Sequence, residues 1–195
     1  LVTKSDEGVK NPSTSLGFGF AGGFYMQIPI NNNMSINPEI LYSQKSSSFE
    51  YDYVYDYDKN QRDYYSTKSS ITLSYVELNP TLSYLASYNL SLNIGPSIHY
   101  MISSKHEYEQ TLTDREDETT SPEILADGVF DEQSLDIGLN AGLSYYLNEN
   151  FILNTTIYSG FMKIGEVFRP IDIQNDEPTT SLKLSNIRVS FSYLF

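Results

Sequence analysis

The sequence predicts an all-β fold, an antiparallel up-and-down barrel that crosses a membrane with strands. Apolar and polar side chains alternate over seven segments, as expected for strands that have one apolar face. No stretch approaches the roughly 18 apolar residues that a transmembrane helix requires. Only five of the chain's 25 acidic and 12 basic residues fall inside the seven segments. A soluble barrel also alternates, but it would place many charges on its wet face.

The predicted strands leave only short or acidic connections between them. They cover about residues 16–30, 34–44, 71–88, 91–103, 134–147, 151–162 and 182–195. In the last segment every odd position from Ile187 to Phe195 carries an apolar or aromatic side chain. We interpret Phe191, Tyr193 and Phe195 as a C-terminal assembly signal, since aromatic residues suit a membrane interface.

Two local irregularities are expected within these strands. The apolar residues of segment 71–88 are odd up to Tyr75 and even after it, and a β-bulge near Tyr75 would explain the change of phase. Four prolines also lie inside the segments, where a missing N–H breaks the ladder. We therefore expect bulges or strand ends at Pro29, Pro38, Pro80 and Pro96.

Composition agrees with a barrel and excludes several classes of protein. The 195 residues allow one domain, which we assign to 1–195. A formal net charge of −13 makes nucleic acid an improbable partner. The mean hydropathy of −0.36 suits a barrel, because only about half of each strand has to be apolar. The sequence has no cysteine, which excludes disulfides and thiolate metal sites, and it predicts neither a metal site nor a cofactor.

Connection lengths predict the orientation of the barrel. The tight turns at Asn31–Asn33, Asn89–Leu90 and Asn148–Asn150 contrast with long connections over about 45–70, 104–133 and 163–181. Outer-membrane barrels keep short turns in the periplasm and long loops outside the cell. The C-terminus would then be periplasmic, and the first predicted strand would run inward from the exterior. We therefore expect eight strands, the first of them upstream of Leu1.

The order of four short motifs resembles a known family. They begin at Asn37, Tyr75, Asn93 and Leu135, and they read NPEILYS, YVELNP, NIGP and LDIG. Together they are similar to the PorT-like outer-membrane barrels common in Bacteroidetes, over about residues 16–195. The resemblance implies an eight-stranded barrel with a packed interior, and for some members a place in secretion or in larger outer-membrane assemblies. It implies no particular biochemical activity.

Five ionisable residues share the parity of the polar, inward face. They are Glu39, Glu77, His99, Asp136 and Arg188. Carboxylates inside a narrow barrel have to be paired or hydrogen-bonded. We therefore expect Arg188 to bridge at least two of the three acids, in a network completed by His99 together with Tyr25, Gln27, Asn79 and Asn140. Its expected role is structural, and a proton or ion path is the alternative.

The long connections are expected to face partners. Residues 49–57 alternate tyrosine with acidic residues, which indicates a hairpin above the membrane with 63–70 as its return strand. Its four tyrosines, Tyr51, Tyr53, Tyr55 and Tyr57, are candidates for a partner-facing aromatic patch. The acidic run Asp114–Glu118 is typical of a solvated loop, and calcium bridging between its carboxylates is the alternative.

The expected function is that of a non-enzymatic structural or interaction subunit in the bacterial outer membrane. Its expected partners are membrane lipid and lipopolysaccharide, the outer-membrane assembly machinery and other outer-membrane proteins. The main alternative is a narrow passive pore, although eight strands leave an interior that side chains fill. A lipid hydrolase or protease built around His99 is the less favoured alternative, because no nucleophile stands at an informative spacing.

Overall fold

A computed structural model describes residues 2–5, 9–15, 17–58, 61–113, 123–124, 130–132, 134–167 and 180–194. Side chains are described for residues 15, 17–48, 50, 66, 68–107, 134–165 and 183–194. Phe195, Leu1 and the acidic run at 114–118 lie outside the described residues. Within the described part of the chain, no helix is long and apolar enough to cross a membrane.

The described residues form strands joined by turns and short irregular segments. The strands are β1 (Val2–Ser5), β2 (Val9–Ser15), β3 (Gly19–Tyr25), β4 (Ile28–Asn31), β5 (Met34–Asp58), β6 (Gln61–Ser87), β7 (Leu90–Thr113), β8 (Glu123–Ile124), β9 (Phe130–Glu132), β10 (Leu135–Tyr146), β11 (Phe151–Gly160), β12 (Gly165–Val167), β13 (Thr180–Lys183) and β14 (Ser185–Tyr193). All their pairings are antiparallel.

The strands curl into a nearly closed barrel, which confirms the predicted fold class. The main sheet has the order β14-β11-β10-β7-β6-β5-β2, and β3 and β4 follow β2 along the same edge of β5. The barrel wall therefore has seven strand positions. A small second sheet has the order β1-β13-β12-β9. Its strands adjoin the wall strands in sequence at the end of the barrel opposite the tight turns. We call this end of the barrel the long-strand end.

The distribution of polar and apolar side chains over the two faces of the wall is the reverse of that in a soluble protein. In β10, Leu135, Ile137 and Leu139 are exposed, whereas Asp136 and Asn140 between them are buried. The same alternation runs through β14. Strand geometry sends successive side chains to opposite faces, so the apolar face points outward and the polar face lines the lumen.

Three strands extend well beyond the segments predicted for them. β5, β6 and β7 contain 25, 27 and 24 residues, whereas the predicted segments ended near residue 44, began near 71 and ended near 103. β5 and β6 remain paired up to Asp58 opposite Gln61. Residues 45–58 and 61–70 thus continue the barrel wall as two paired strands at the long-strand end. We call residues 46–58, 61–70 and 104–113 the wall extension.

The tyrosines of residues 51–57 lie on this extension. Their backbone continues β5, with Tyr51 opposite Thr67 and Tyr53 opposite Tyr65. All four occupy odd positions, as Ser43 and Lys45 do lower in the same strand. Their side chains lie outside the described part of the chain.

The expected bulge near Tyr75 lies on the neighbouring strand. β6 keeps one phase throughout, because Ile71, Leu73 and Tyr75 are as fully buried as Glu77 further along it. The register between β6 and β7 shifts after Ser74, where Ser103 and Met101 become consecutive partners and Ile102 is left over. A register shift thus lies beside Tyr75, as expected, but its extra residue is on β7 and it does not change the phase of β6. The apolar residues at 71, 73 and 75 point inward and, with Met101, form what we call the apolar layer of the lumen.

The prolines at 38, 80 and 96 lie in the interior of paired strands, which contradicts the expected strand ends. Pro38 is opposite Pro80, and its carbonyl accepts a hydrogen bond from the Met26 N–H at 3.0 Å. Between β6 and β7, Leu78 is paired with Ile98, and the next registered pair is Leu82 with Ile94. Pro80 and Pro96 lie in the gap between these two pairs. This gap in the ladder thus coincides with residues that have no N–H to donate.

One seam of the barrel carries no pairing among the described residues. β14 pairs on one side with β11, and β3 pairs on one side with β5. No registered pair joins β14 to β3. The main sheet thus ends in two free edges that face each other around the barrel.

Candidate functional site

The candidate site is a set of polar side chains that five neighbouring strands and β14 project into the lumen. We call it the lumen network. Its members are Glu39, Ser43, Lys45, Glu77, Asn79, Ser97, His99, Asp136, Asn140, Tyr158 and Arg188. Each has the inward parity of its strand, so the alternation that makes the outer face apolar also brings these groups together.

Arg188 joins two of the three predicted acids across the lumen. Its Nη2 donates a hydrogen bond to Glu39 Oε2, and its Nη1 lies 3.4 Å from Glu77 Oε2. Asn79 Nδ2 donates to the same Glu39 oxygen at 3.0 Å. Because Arg188 belongs to the free-edge strand β14 while Glu39 and Glu77 belong to β5 and β6, this contact ties distant parts of the wall to each other.

Lys45 supplies a second cation that the sequence analysis missed. Its Nζ lies 2.6 Å from Glu77 Oε1 and above the rings of Tyr75 and Tyr158, at 5.1 and 5.6 Å from their centroids. Glu77 also accepts a hydrogen bond from Ser43 Oγ at 2.5 Å. Lys45 has the odd parity of Glu39, and the pattern would have revealed it if the predicted strand had not ended at residue 44.

His99 lies among these groups but is not arranged for hydrolysis. Its Nε2 is 2.7 Å from Ser97 Oγ and 3.6 Å from Glu77 Oε2, while its Nδ1 faces Lys45 Nζ at 3.4 Å. A serine hydrolase triad needs the acid on the nitrogen opposite the serine, and here a cation is found there. Ser97 and His99 are also completely buried.

Asp136 is separate from Arg188, contrary to the widest form of the expected network. It accepts hydrogen bonds from Tyr158 Oη at 2.8 Å and from the Met162 N–H at 3.3 Å. Tyr158 in turn stacks on His99, with 4.0 Å between ring centroids. A neighbouring residue must stay small, because a Cβ on Gly160 would lie 2.3 Å from Asp136 Oδ2.

The remaining predicted members are divided between the network and the turn end of the lumen. Asn79 accepts hydrogen bonds from Ser97 Oγ and from Asn140 Nδ2 at 3.1 Å. Gln27 lies elsewhere, because its Nε2 donates to Tyr146 Oη at 3.1 Å and to Ser35 Oγ at 3.4 Å. Tyr25 belongs to neither group, because its Oη has no hydrogen-bonding partner among the described residues.

A small cavity adjoins the network. It measures about 30 Å³, which is enough for a water molecule. Four buried polar atoms on its lining have no hydrogen-bonding partner within the described part of the chain: Tyr25 Oη, Asn37 Oδ1, Asn93 Oδ1 and Arg188 Nε. A larger polar mouth of about 760 Å³ opens at the tight turns, lined by residues such as Asn31, Asn89 and Asn148.

The wall extension contains a second Ser–His contact and exposed ion pairs. Ser69 Oγ is 2.5 Å from His106 Nε2, but Ser69 is fully buried. Lys105 Nζ lies 2.6 Å from Glu107 Oε1. Their hydrogen bond raises the pKa of Lys105 and lowers the pKa of Glu107. Both side chains are largely exposed, so solvent screens the pair.

The C-terminal stripe faces outward where it is described. Phe191 is 74% exposed, and the ring of Tyr193 meets Phe151 edge to face at 5.1 Å. Among the residues with described side chains, no group of three or more His, Asp or Glu is placed to hold a metal ion.

Comparison with known proteins identifies one family. The family model described as outer membrane protein beta-barrel domain matches residues 2–166, which is most of the chain. A search of curated proteins and a search of solved structures found no match.

Exchange of Arg188 tests the cross-lumen contact. We expect Arg188→Met to lower the free energy of unfolding by roughly 1–3 kcal/mol, because it leaves the partly buried carboxylate of Glu39 without its cation. Adding Glu39→Gln should restore a large part of this loss. The chain has no tryptophan, so urea unfolding in lipid vesicles is followed by circular dichroism. Equal losses in the single and the double variant would argue against the pairing.

Two glycines provide a matched test of packing around Asp136. Gly160→Ala should destabilise the barrel by about 1–3 kcal/mol, because its Cβ would collide with the Asp136 carboxylate. Gly22→Ala is the control, since nothing lies within 4 Å of the Cβ that it adds. The same urea titration compares the two variants. A Gly22→Ala loss as large as that of Gly160→Ala would contradict the packing argument.

Proposed function

The chain belongs to the family of outer membrane protein β-barrel domains, and from this premise we propose that it is a structural or interaction subunit of an outer-membrane complex. The proposed role is non-enzymatic, and the resemblance to PorT-like barrels favours a secretion-related assembly. Its partners in this proposal are other outer-membrane proteins, together with membrane lipid and lipopolysaccharide. The assembly machinery would read the exposed aromatic stripe of β14.

The observation that carries the proposal is the filled lumen. The lumen network joins strands on different sides of the barrel through Arg188, Glu39 and Glu77. Next to it, Ile71, Leu73, Tyr75 and Met101 are each at most 5% exposed. A barrel closed by both a polar network and an apolar layer has little room for solutes. Its surfaces are therefore the places where it can act.

The proposed orientation places the tight turns in the periplasm and the long-strand end outside the cell. Outer-membrane barrels have this asymmetry of turn and loop length. The C-terminus is then periplasmic, and the wall extension projects from the cell surface. Ion pairs on its outer face, such as Lys68 with Glu50 at 3.5 Å, suit an aqueous setting.

The wall extension is the proposed partner-facing surface. β5, β6 and β7 remain paired through it, so it continues the barrel wall. Tyrosine is enriched at protein interfaces, where its large ring contributes much of the binding energy. Tyr51, Tyr53, Tyr55 and Tyr57 are the proposed contact residues.

A test of solute flux separates this role from the alternative of a passive pore. The purified protein in liposomes is expected to admit neither small sugars nor ions above the rate of empty liposomes, since the lumen is closed. Liposome swelling and planar-bilayer conductance are the measurements, with a general porin as the positive control. Stable single-channel conductance would reject the closed subunit in favour of the pore.

Replacing the four tyrosines tests the partner-facing surface. The variant with serine at 51, 53, 55 and 57 should lose an outer-membrane protein that co-purifies with the native chain by about tenfold or more. Its barrel should still fold, as judged by heat-modifiable migration in gels. The matched control carries Lys68→Ser and Lys105→Ser on the same wall extension and should retain the partner. Equal recovery of the partner with both variants would refute the role of the tyrosines.

A further inference from the structure

The small polar cavity beside the lumen network lies on the axis of the barrel. It measures about 30 Å³, and all seven strand positions of the wall contribute residues to its lining. Glu39 and Arg188 form one side of it. A molecule held there would touch strands from every part of the wall.

Four polar atoms on this lining have no hydrogen-bonding partner among the described residues. They are Tyr25 Oη, Asn37 Oδ1, Asn93 Oδ1 and Arg188 Nε, and all four are buried. Asn37 is only 2% exposed. A buried polar atom without a partner destabilises the folded state. Four such atoms around one small cavity therefore indicate a bound molecule that pairs with them.

A relay of hydrogen bonds assigns the end of the Asn93 amide that faces the cavity. Ser144 Oγ donates to Asn154 Oδ1 at 2.5 Å, so its one hydrogen is used. It therefore accepts from Asn93 Nδ2, at 2.6 Å. Asn154 Nδ2 donates in turn to Ser192 Oγ at 2.9 Å. The oxygen of Asn93 is the atom that remains for the cavity.

Arg188 presents a donor to the same cavity. Its Nη1 and Nη2 contact Glu77 and Glu39, and its Nε–H has no partner among the described residues. A guanidinium only donates hydrogen bonds, whereas the hydroxyl of Tyr25 can donate or accept. The bound molecule must therefore accept from Arg188 and donate to the amide oxygens.

The chemistry of the four atoms selects a neutral molecule. A metal cation or ammonium has no lone pair for Arg188 Nε and would lie beside a positive charge. An anion has no proton for the oxygens of Asn37 and Asn93 and would lie beside the carboxylate of Glu39. Water has two hydrogens and two lone pairs, and buried waters typically make two to four hydrogen bonds. Water thus matches the whole set.

We propose that this cavity is a binding site for water. The resident molecule donates to Asn37 Oδ1 and Asn93 Oδ1 and accepts from Arg188 Nε and Tyr25 Oη. The volume of about 30 Å³ holds one or two water molecules, since each needs roughly 10–15 Å³. The water bridge joins Arg188 of β14 to β3, β5 and β7 at once, and so adds to the contacts that hold this free-edge strand.

A side-chain contact separates the water site from the mouth at the tight turns. Gln27 Nε2 donates to Tyr146 Oη at 3.1 Å and to Ser35 Oγ at 3.4 Å, and all three residues line the mouth. Asn37 and Ser144, two residues away in the same strands as Ser35 and Tyr146, line the cavity. The resident water is therefore distinct from the solvent of the mouth. The site is also independent of the proposed partner role, because it concerns the interior alone.

Crystallography of the wild-type protein tests the occupant. At a resolution that shows ordered water, we expect a density peak within hydrogen-bonding distance of Asn37 Oδ1, Asn93 Oδ1 and Arg188 Nε. Crystals soaked in rubidium bromide should show no anomalous signal at this peak, because neither a cation nor a halide fits the site.

A double variant tests the role of the amides. Asn37→Leu combined with Asn93→Leu keeps a branched side chain at both positions and removes both acceptors, so the peak should be lost. The control Ser69→Ala changes another fully buried lumen residue that lies outside the cavity lining, and it should retain the peak. The wild-type crystals decide the question of the occupant even where the double variant does not fold.

Three outcomes would overturn the proposal. A wild-type cavity without density, in crystals that show other buried waters, would reject the site. An anomalous signal at the peak would assign the site to an ion. An unmoved peak in the double variant would show that Asn37 and Asn93 do not hold the water. All three would leave solute flux and partner recovery unchanged, so they are distinguishable from failure of the proposed function.

Discussion

The pairing of backbone groups in hydrocarbon is the constraint on which the rest of this structure depends. A strand in the membrane has to share its N–H and C=O groups with neighbours on both sides, and it sends alternate side chains to lipid and to the lumen. Because the side chains of Leu135, Ile137 and Leu139 face lipid, those of Asp136 and Asn140 have to point inward. The inside-out distribution of polarity follows from this one requirement.

A polar lumen creates a second problem, which is solved by charge pairing. Glu77 is buried and Glu39 is partly buried, and each contacts a cation: Arg188 contacts both, and Lys45 contacts Glu77. Removing one partner of a buried pair is costly even when the pair itself adds little net stability. The pairs therefore act mainly to fix which strands face each other. Arg188 does this for β14, whose other edge has no partner among the described residues.

The sequence predicted the architecture well because period 2 is a local property, whereas contacts in the lumen are not. Parity placed Glu39, Glu77 and Arg188 on one face, and their mutual contact followed from the need to neutralise buried charge. Parity could not predict that Asp136 would accept a hydrogen bond from Tyr158. Lys45 was missed because the length of a strand beyond the membrane leaves no hydrophobic signal. The phase change at Tyr75 was misread because apolar residues were assumed to face lipid, while Ile71 and Leu73 in fact fill the lumen.

Strand length separates the part of the chain that the membrane shapes from the part that is free to change. A membrane strand needs about 9–11 residues, and β5, β6 and β7 have 25, 27 and 24. More than half of each strand thus lies beyond the hydrocarbon, where water can satisfy its edges and exposed ion pairs contribute little. In the wall extension the three strands continue the pairing of the barrel wall, with a register shift between β6 and β7 beside Tyr75. The side chains of the wall extension can therefore vary at small cost to folding, and this freedom suits a surface that recognises a partner.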